Sequence, residues 1–485
     1  MKDMDKVNRR KFLAKFLLCN TSLILGSHVF ASCSEEFSED YIDAATGESI
    51  SGKLKYLPIQ NENPAIVRWP DKCEKCGDCV EACAEQQKVF GTYQASPTKH
   101  VCIHCGTCII KCEEGAMTEK YHWQDVLNAI DNPSKIVIAS ISPSVRVGIG
   151  DYFDISSGSF LEENLVGACR AIGFDHVLDT NFSADLTIME EANELQKRIL
   201  EKIDIPQFTS CCPAWVKYVE IYYPSLLNHL STVRSPIGMQ GAMVKTYFAK
   251  KKGINPSNII HVAIAPCTAK KYEITREELT TDGLRSTDIV ITTHELALML
   301  KRRNIKLTAQ RGNFDSFMGA ASGGGIIFGN TGGVTRAAIR TAYFNIIGTN
   351  PPSNLLDLQQ IQGLTGLKEA KVTIGTITLN IAVCYEMRNA KMLLDQVKNG
   401  TCNYHFIEVM ACKGGCVGGA GQPSGSGTIE KRISALNKAD AQAVTRFSHE
   451  NPEVIAVYRK QLGEVGGASA RRYLHTTYYS KANLL

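Results

Sequence analysis

At 485 residues the chain is long enough for two to four domains with at least one large buried core. Its 44% hydrophobic and 21% charged content is that of a soluble globular protein, and a net charge of +4 offers no field to attract nucleic acid or an anionic membrane. Of the 18 cysteines, eight crowd into two tight runs, a spacing that in a large chain reads as metal binding and not as a disulfide framework.

The first segment reads as an address. Asn8-Arg9-Arg10-Lys11-Phe12-Leu13 resembles a twin-arginine export motif, and an apolar stretch from Phe16 to Ala31 follows it. That stretch is short for a membrane span and is interrupted by Asn20, Thr21, Ser22 and His28, so residues 1–33 are expected to be a signal peptide. Val29-Phe30-Ala31 suits ordinary cleavage, whereas Ala31-Ser32-Cys33 resembles a lipoprotein box that would leave a lipid anchor at Cys33. The twin-arginine translocase carries folded proteins, and the expected location is the periplasm or the outer face of the cytoplasmic membrane. Residues 34–62, polar and rich in Ser, Glu and Gly, read as a linker.

Residues 63–122 hold the paired runs Cys73-x2-Cys76-x2-Cys79-x3-Cys83 and Cys102-x2-Cys105-x2-Cys108-x3-Cys112. Three thiolates two residues apart wrap one face of a cubane, and the fourth Cys of each run reaches across to the other cluster. One [4Fe–4S] cluster is thus expected on Cys73, Cys76, Cys79 and Cys112, and the second on Cys102, Cys105, Cys108 and Cys83. Zinc sites take four ligands as two pairs, which these runs are not. The proline that usually follows the fourth Cys in bacterial-type ferredoxins is replaced by Ala84 and Glu113.

From Lys135 short β-branched runs alternate with amphipathic stretches. Strands are predicted at Lys135–Ile141, Asn258–Ile264, Asp288–Thr292, Lys371–Leu379 and His405–Val409, and helices at Glu162–Ile172 and Ala184–Ile199. Alternation of this kind predicts an α/β catalytic domain over 123–423, its two lobes built on largely parallel sheets flanked by helices, beside a small α+β ferredoxin-like domain. Residues 424–485 read as a mainly helical tail.

Three separated segments carry the remaining chemistry: Thr209-Ser210-Cys211-Cys212-Pro213-Ala214-Trp215, Pro266-Cys267-Thr268-Ala269-Lys270-Lys271-Tyr272-Glu273, and Glu408-Val409-Met410-Ala411-Cys412-Lys413-Gly414-Gly415-Cys416. Two of them follow predicted strands, where open α/β sheets place their ligands. In these motifs the chain resembles the [FeFe] (iron-only) hydrogenases from about residue 65 to its end, and the tail resembles that family's small subunit. The resemblance implies reversible H2 oxidation and proton reduction at an H-cluster, a [4Fe–4S] unit joined to a di-iron site with CO, CN and a dithiolate amine. It assigns the [4Fe–4S] part to Cys212, Cys267, Cys412 and Cys416, with Cys416 bridging to the di-iron part. Lys270 matches the residue that meets a di-iron cyanide, Met410 packs on that site, and Pro143, Ser144, Trp215 and Phe328 lie around the cofactor.

By the same resemblance protons pass through Cys211, Glu191, Ser231, Glu194 and finally Arg198. A thiol suits the first post because a reference pKa of about 8.5 leaves it protonated yet exchangeable near neutrality. Glu191 and Glu194 lie i, i+3 on a predicted helix and share a face; on the residues alone both read as solvated surface carboxylates. The glycine-rich stretch Ser322–Gly333 fits neither G-x-G-x-x-G nor a phosphate loop, so no nicotinamide or flavin site is expected, and close approach to the cofactor or tight packing explains it.

Where the family usually has Met, Gln and Ala, this chain has Ala265, Ile237 and Ser142, which predicts an atypical catalyst, slower or more biased in direction. A low-turnover H2 sensor and a hydrogenase-like iron–sulfur assembly protein without the di-iron site are the alternative readings. The partners implied are H2, protons, hydrogenase maturation proteins, and a redox protein. An exported enzyme would meet a c-type cytochrome or a membrane redox protein sooner than a soluble ferredoxin.

Overall fold

The β-branched runs form two large sheets whose strand ends meet, beside two two-stranded sheets, Ile66–Arg68 with Met117–Glu119 and Thr280–Thr281 with Leu284–Arg285. The structure is a computed structural model and describes residues 55–90, 101–356, 358–362 and 364–485. The expected signal peptide, Cys33 and most of the 34–62 linker lie outside the described residues. Strands run in chain order as β1 (Ile66–Arg68), β2 (Met117–Glu119), β3 (Ile136–Ile141), β4 (His176–Asp179), β5 (Gln207–Phe208), β6 (Ile259–Ala265) and β7 (Ile289–Thr292). They continue as β8 (Gln359–Gln360), β9 (Leu367–Ile374), β10 (Ile377–Tyr385) and β11 (Phe406–Met410). The helices used below are α1 (Glu162–Ile172), α2 (Thr180–Glu201), α3 (Pro213–Tyr222), α4 (Pro236–Met243), α5 (Gly333–Ile347), α6 (Thr428–Gln442) and α7 (Ala468–Leu474).

One sheet has the order β4-β3-β6-β7 and is parallel throughout. Its central residues Val137, Ile138, Ala139, Val262, Ala263 and Ile264 are buried, as strands covered by helices on both faces must be. The other has the order β8-β9-β10-β11-β5, in which β10, β11 and β5 are parallel and β8, β9 and β10 antiparallel. The architecture is therefore α/β with one parallel and one mixed sheet.

Three sequence expectations are corrected. The strand predicted at Lys371–Leu379 is a hairpin: Ile374 pairs with Ile377 across a two-residue turn whose Gly375 has φ 60°. β-branched residues on both arms hid that turn, although a glycine between such runs is a hairpin signal. The strands β4 and β5 escaped prediction because four and two residues are too few to show a period. The linker does not extend to 62, since Leu57 is buried in the same core as Ile66, Val80, Phe208 and Trp215. Helix α1 has its predicted bounds, while α2 exceeds its predicted span at both ends.

The glycine-rich stretch serves tight packing. A Cβ on Gly325 would lie 2.6 Å from the Asn181 carbonyl oxygen, and one on Gly323 2.4 Å from Asp440 Oδ1. Beside it the buried Asp185 accepts hydrogen bonds from Ser322 N and Oγ, Ser448 Oγ and Asn451 Nδ2, tying α2 to this turn and to the tail. Among the described residues no helix is long and apolar enough to cross a membrane.

The parallel sheet also carries a pH liability. His261, fully buried on β6, sits between Ser140 Oγ at 2.9 Å and Thr287 Oγ1 at 3.2 Å. Burial, with Lys245 nearby, pushes its pKa down to about 3. The unfolded chain therefore binds a proton that the folded one refuses, so this contribution is present above about pH 6.5 and is lost as pH falls toward 3. Urea midpoints measured across that window should fall less steeply for His261→Gln than for the wild type; parallel curves would contradict this.

Candidate active site

The two cysteine runs adopt the same backbone. Lys75 and Gly77 flank Cys76 in the left-handed region, with φ 56° and 94°, and His104 and Gly106 flank Cys105 with φ 63° and 76°. Each run then enters a short helix, Asp78–Glu81 or Thr107–Lys111. The thiols sort into two groups. Burial raises the Cys79 pKa, with further push from Cys73, Cys76 and Cys112. Burial likewise raises Cys83, and Cys105 and Cys102 add to it, while Cys108 feels Cys102, Cys105 and Cys83. Cys112 thus lies near Cys79, and Cys83 near Cys102 and Cys105, while Cys79 also acts on Cys83 and Cys108, so the two groups adjoin. Among the described residues no three Cys, His or carboxylate groups converge on a single ion position.

Four further thiols meet where strands of both sheets end. Cys212 caps the N-terminus of α3 two residues after the Thr209-Ser210 extension of β5, and Cys267 follows β6. Cys412 follows β11, and Gly414 and Gly415, at φ 75° and 90°, turn the chain back to Cys416. Burial pushes the Cys412 pKa well up, and Cys267, Cys212, Cys416 and Cys105 raise it further. Cys416 is pushed up to about 12, again first by burial. Such thiols do not ionise together unaided; the positive charge of a bound iron cluster is what permits it, so this donor set fits a cluster. The influence of Cys105 on Cys412, and of Cys212 on Cys105, shows that the second thiol group lies next to this one.

A largely apolar cavity opens beside Cys416. Pro143, Ser144, Cys211, Lys270, Phe328 and Met410 line it, and so do the three departures from the family pattern, Ser142, Ile237 and Ala265. Two buried hydroxyls of its wall, Ser144 Oγ and Thr180 Oγ1, have no protein partner, which suits a ligand that brings polar atoms of its own. Lys270 Nζ donates to Glu273 Oε2 at 2.8 Å, to Glu273 Oε1 at 3.0 Å and to the Cys211 carbonyl at 3.1 Å. Burial opposes the Lys270 charge, but Glu273 holds its pKa above the usual lysine value. The sequence reading missed Glu273 as a partner, although its i, i+3 spacing from Lys270 was the available signal. Trp215 lies elsewhere: its indole donates to the Thr209 carbonyl at 2.9 Å and backs the Cys211–Cys212 turn from the core.

From the cavity the proton-relay candidates lead outward in order. Glu191 lies close enough to Cys211 to raise its pKa, which burial already pushes well up. Glu191 is itself buried, and desolvation, then Glu194 and Glu408, lift its pKa well above the carboxylate range while the Ser231 hydroxyl partly offsets this. Ser231 Oγ donates to Glu194 Oε2 at 2.9 Å, and Arg198 Nη2 to Glu194 Oε1 at 2.6 Å. Neither carboxylate is a solvated surface group: Glu191 is 1% exposed and the Glu194 side chain 13%. Tertiary packing against the 207–233 segment buries a helix face that reads as polar.

Sequence reasoning also missed the contact between the second thiol group and α3. Lys217 Nζ donates to the Cys102 carbonyl at 2.8 Å and lies 2.8 Å from His104 Nε2, and Thr268 Oγ1 donates to the His104 carbonyl at 2.8 Å. His104 and Thr268 fall at variable positions of their motifs and Lys217 lies outside any, and the three are remote in sequence, so no signal pointed to their contact.

Comparison with known proteins matches this arrangement. The model for the iron only hydrogenase large subunit, C-terminal domain, covers residues 135–420, and that for the iron hydrogenase small subunit covers 427–481. The chain is 39% identical over 444 residues to the NADP-reducing hydrogenase subunit HndD of Solidesulfovibrio fructosivorans, covering 87% of this chain and 75% of that one. It is 47% identical over 296 residues to the periplasmic [Fe] hydrogenase large subunit of Nitratidesulfovibrio vulgaris, with 60% and 70% covered. The structure of a variant of [FeFe]-hydrogenase HydA1 from Chlamydomonas reinhardtii superposes with a TM-score of 0.68 at 38% identity, over 74% of this chain and 99% of that one. A cytosolic Fe–S cluster assembly factor of Xenopus tropicalis is more distant, at 30% identity over 80% of this chain and 84% of its own. With these matches spanning both sheets and the thiol-lined cavity between them, the chain belongs to the iron-only, or [FeFe], hydrogenase family and is an oxidoreductase.

Proposed function

We propose that this protein interconverts H2 with protons and electrons at an H-cluster held by Cys212, Cys267, Cys412 and Cys416. Electrons travel through two [4Fe–4S] clusters, one on Cys73, Cys76, Cys79 and Cys112 and one on Cys102, Cys105, Cys108 and Cys83. The observation that carries this reading is the cavity lined by both Cys416 and Cys211, with the buried proton-relay candidates Glu191, Ser231 and Glu194 leading away from Cys211. An assembly scaffold without a di-iron site has no need of that cavity, or of Lys270 and Met410 in its wall. The bound group would supply the metal that takes hydride and the amine base nearest it.

The chain's own residues hold the charge and move the proton. Cys211 stays a neutral thiol because burial opposes the thiolate, so its Sγ can pass a proton on without a standing buried charge. Glu191 accepts that proton more readily than an exposed carboxylate would, since burial, with Glu194 and Glu408 nearby, raises its pKa well above the ordinary carboxylate value. The Ser231 hydroxyl then bridges to Glu194. Lys270 keeps a fixed positive charge at the cavity wall because Glu273 neutralises it from behind.

Infrared bands of Fe–CO and Fe–CN in the matured protein test the cofactor directly. In Cys211→Ala and Ser231→Ala those bands should persist while turnover falls by about a hundredfold or more. Loss of the bands in Cys211→Ala would make Cys211 a ligand and overturn its role as proton carrier.

Ser142, Ile237 and Ala265 support the reading of an atypical catalyst, because all three face the cavity and change its polarity or shape. Each hydrogen bond gained or lost there is worth about 1 kcal/mol. Film voltammetry of Ala265→Met combined with Ile237→Gln is expected to show altered bias or turnover; identical traces would show that these positions do not tune the site.

Export through the twin-arginine translocase rests on Arg9 and Arg10, ahead of the apolar stretch. Changing both to Lys should leave an uncleaved precursor inside the cell, whereas normal processing of that variant would refute the route.

A further inference from the structure

Arg198 ends the relay in space but is a poor group through which to release a proton. A guanidinium does not deprotonate in proteins. Its donors are also committed: beyond Glu194, they reach the carbonyls of Asn228 at 2.8 Å, Leu230 at 2.9 Å and Asp204 at 3.2 Å. These bonds make Arg198 a clamp on Glu194.

A second path leaves Glu194. Thr232 N donates to Glu194 Oε2 at 3.1 Å, and Thr232 Oγ1 lies 3.3 Å from the same oxygen. Thr232 Oγ1 is 2.7 Å from His475 Nδ1, and His475 Nε2 is 2.9 Å from Glu190 Oε2. Glu190 is held in turn by Tyr458 Oη at 2.5 Å and Gly466 N at 2.9 Å. The His475 backbone is fixed as well, since its carbonyl accepts from Arg234 Nε at 2.9 Å. Glu190, Glu194, Arg198, Asp204, Arg471 and His475 line a polar cavity of about 170 Å³. The charged groups facing His475 are Glu190, Glu194, Lys197 and Arg198 from α2, Asp204 beyond it, Arg471 from α7, and Arg234.

We infer that His475, carried by the small-subunit-like tail, is the group through which protons enter and leave the relay, and that Arg198 only positions Glu194; this rests on the hydrogenase reading above. An imidazole can accept a proton at one ring nitrogen and give one up from the other, which a guanidinium cannot do. In the neutral ring, Nε2–H donates to Glu190 and Nδ1 accepts from the Thr232 hydroxyl, which itself accepts from protonated Glu194. Transfer moves the Glu194 proton to Thr232 Oγ1 and the Thr232 proton to Nδ1. It leaves a carboxylate, an imidazolium and the same hydroxyl, now turned to donate to Glu194. Water entering the cavity then takes the Nδ1 proton and the Thr232 hydroxyl turns back toward the ring, so that both groups return to their starting state.

The test uses matured enzyme and the variants His475→Ala and His475→Gln, with iron content and Fe–CO bands confirming loading. Turnover of both should fall about tenfold or more, and their pH profiles should differ in shape from that of the wild type. Free imidazole should restore His475→Ala, and methylimidazoles of different pKa should restore it in proportion to their basicity. Unchanged turnover, or a loss that no imidazole relieves, overturns the inference while leaving the hydrogenase reading intact. Failure of both variants to load iron assigns His475 a structural role and likewise overturns it. Loaded wild-type enzyme without H2 turnover would instead strike the reading beneath it.

Discussion

Everything in this molecule is arranged around the difficulty of holding several ionised sulfurs in one buried place. Burial raises the pKa of Cys212, Cys267, Cys412 and Cys416, and repulsion from neighbouring thiols adds to it for the last three, so they can ionise together only where a cluster supplies opposing charge. Strand ends are the natural support. They are rigid, the carboxyl ends of β5, β6 and β11 converge from two sheets, and each can offer one or two cysteines without a buried loop of its own. The same convergence places the ends of β3 and β4, with Ser144 and Thr180, on the wall of the adjoining cavity.

The surrounding polar groups obey the same constraint. Charges near the site are matched locally, as Lys270 is by Glu273. Glu408, buried on β11, accepts hydrogen bonds from Gly332 N at 2.6 Å and Thr335 N at 2.8 Å, so the N-terminus of α5 carries its charge. Lys271 and Glu295 form a fully buried pair that joins the cysteine-run region to the parallel sheet, since Lys271 Nζ also donates to the Lys120 carbonyl at 2.6 Å. Glu191 is the exception, lacking a full counter-charge, and its raised pKa is the physical property a proton carrier needs.

The tail acts as a component of this network. Asp185, Glu190 and the Glu194–Thr232 pair are each completed by residues from 448 to 475. A catalytic lobe without that segment would leave two α2 carboxylates buried and short of donors, which is costly in a low-dielectric interior. Packing of the tail on α2 therefore has electrostatic as well as apolar grounds.

Local order in the chain by itself determined the cysteine runs, the three further cysteine motifs, the alternation that makes an α/β fold, and α1 with its bounds. These are short-range regularities: a thiol spacing, an apolar period, a cap. What only the tertiary structure decided is where remote segments meet. Strands β4 and β5 depend on partners remote in the chain, and so do the burial of Glu191 and Glu194 and the contact of Lys217 with His104. His475 shows the reason most clearly. It stands 243 residues from Thr232, the residue it bonds, and nothing in its own neighbours distinguishes it from a surface histidine; only packing of the tail against α2 and the 231–234 segment brings its ring between the Thr232 hydroxyl and the Glu190 carboxylate.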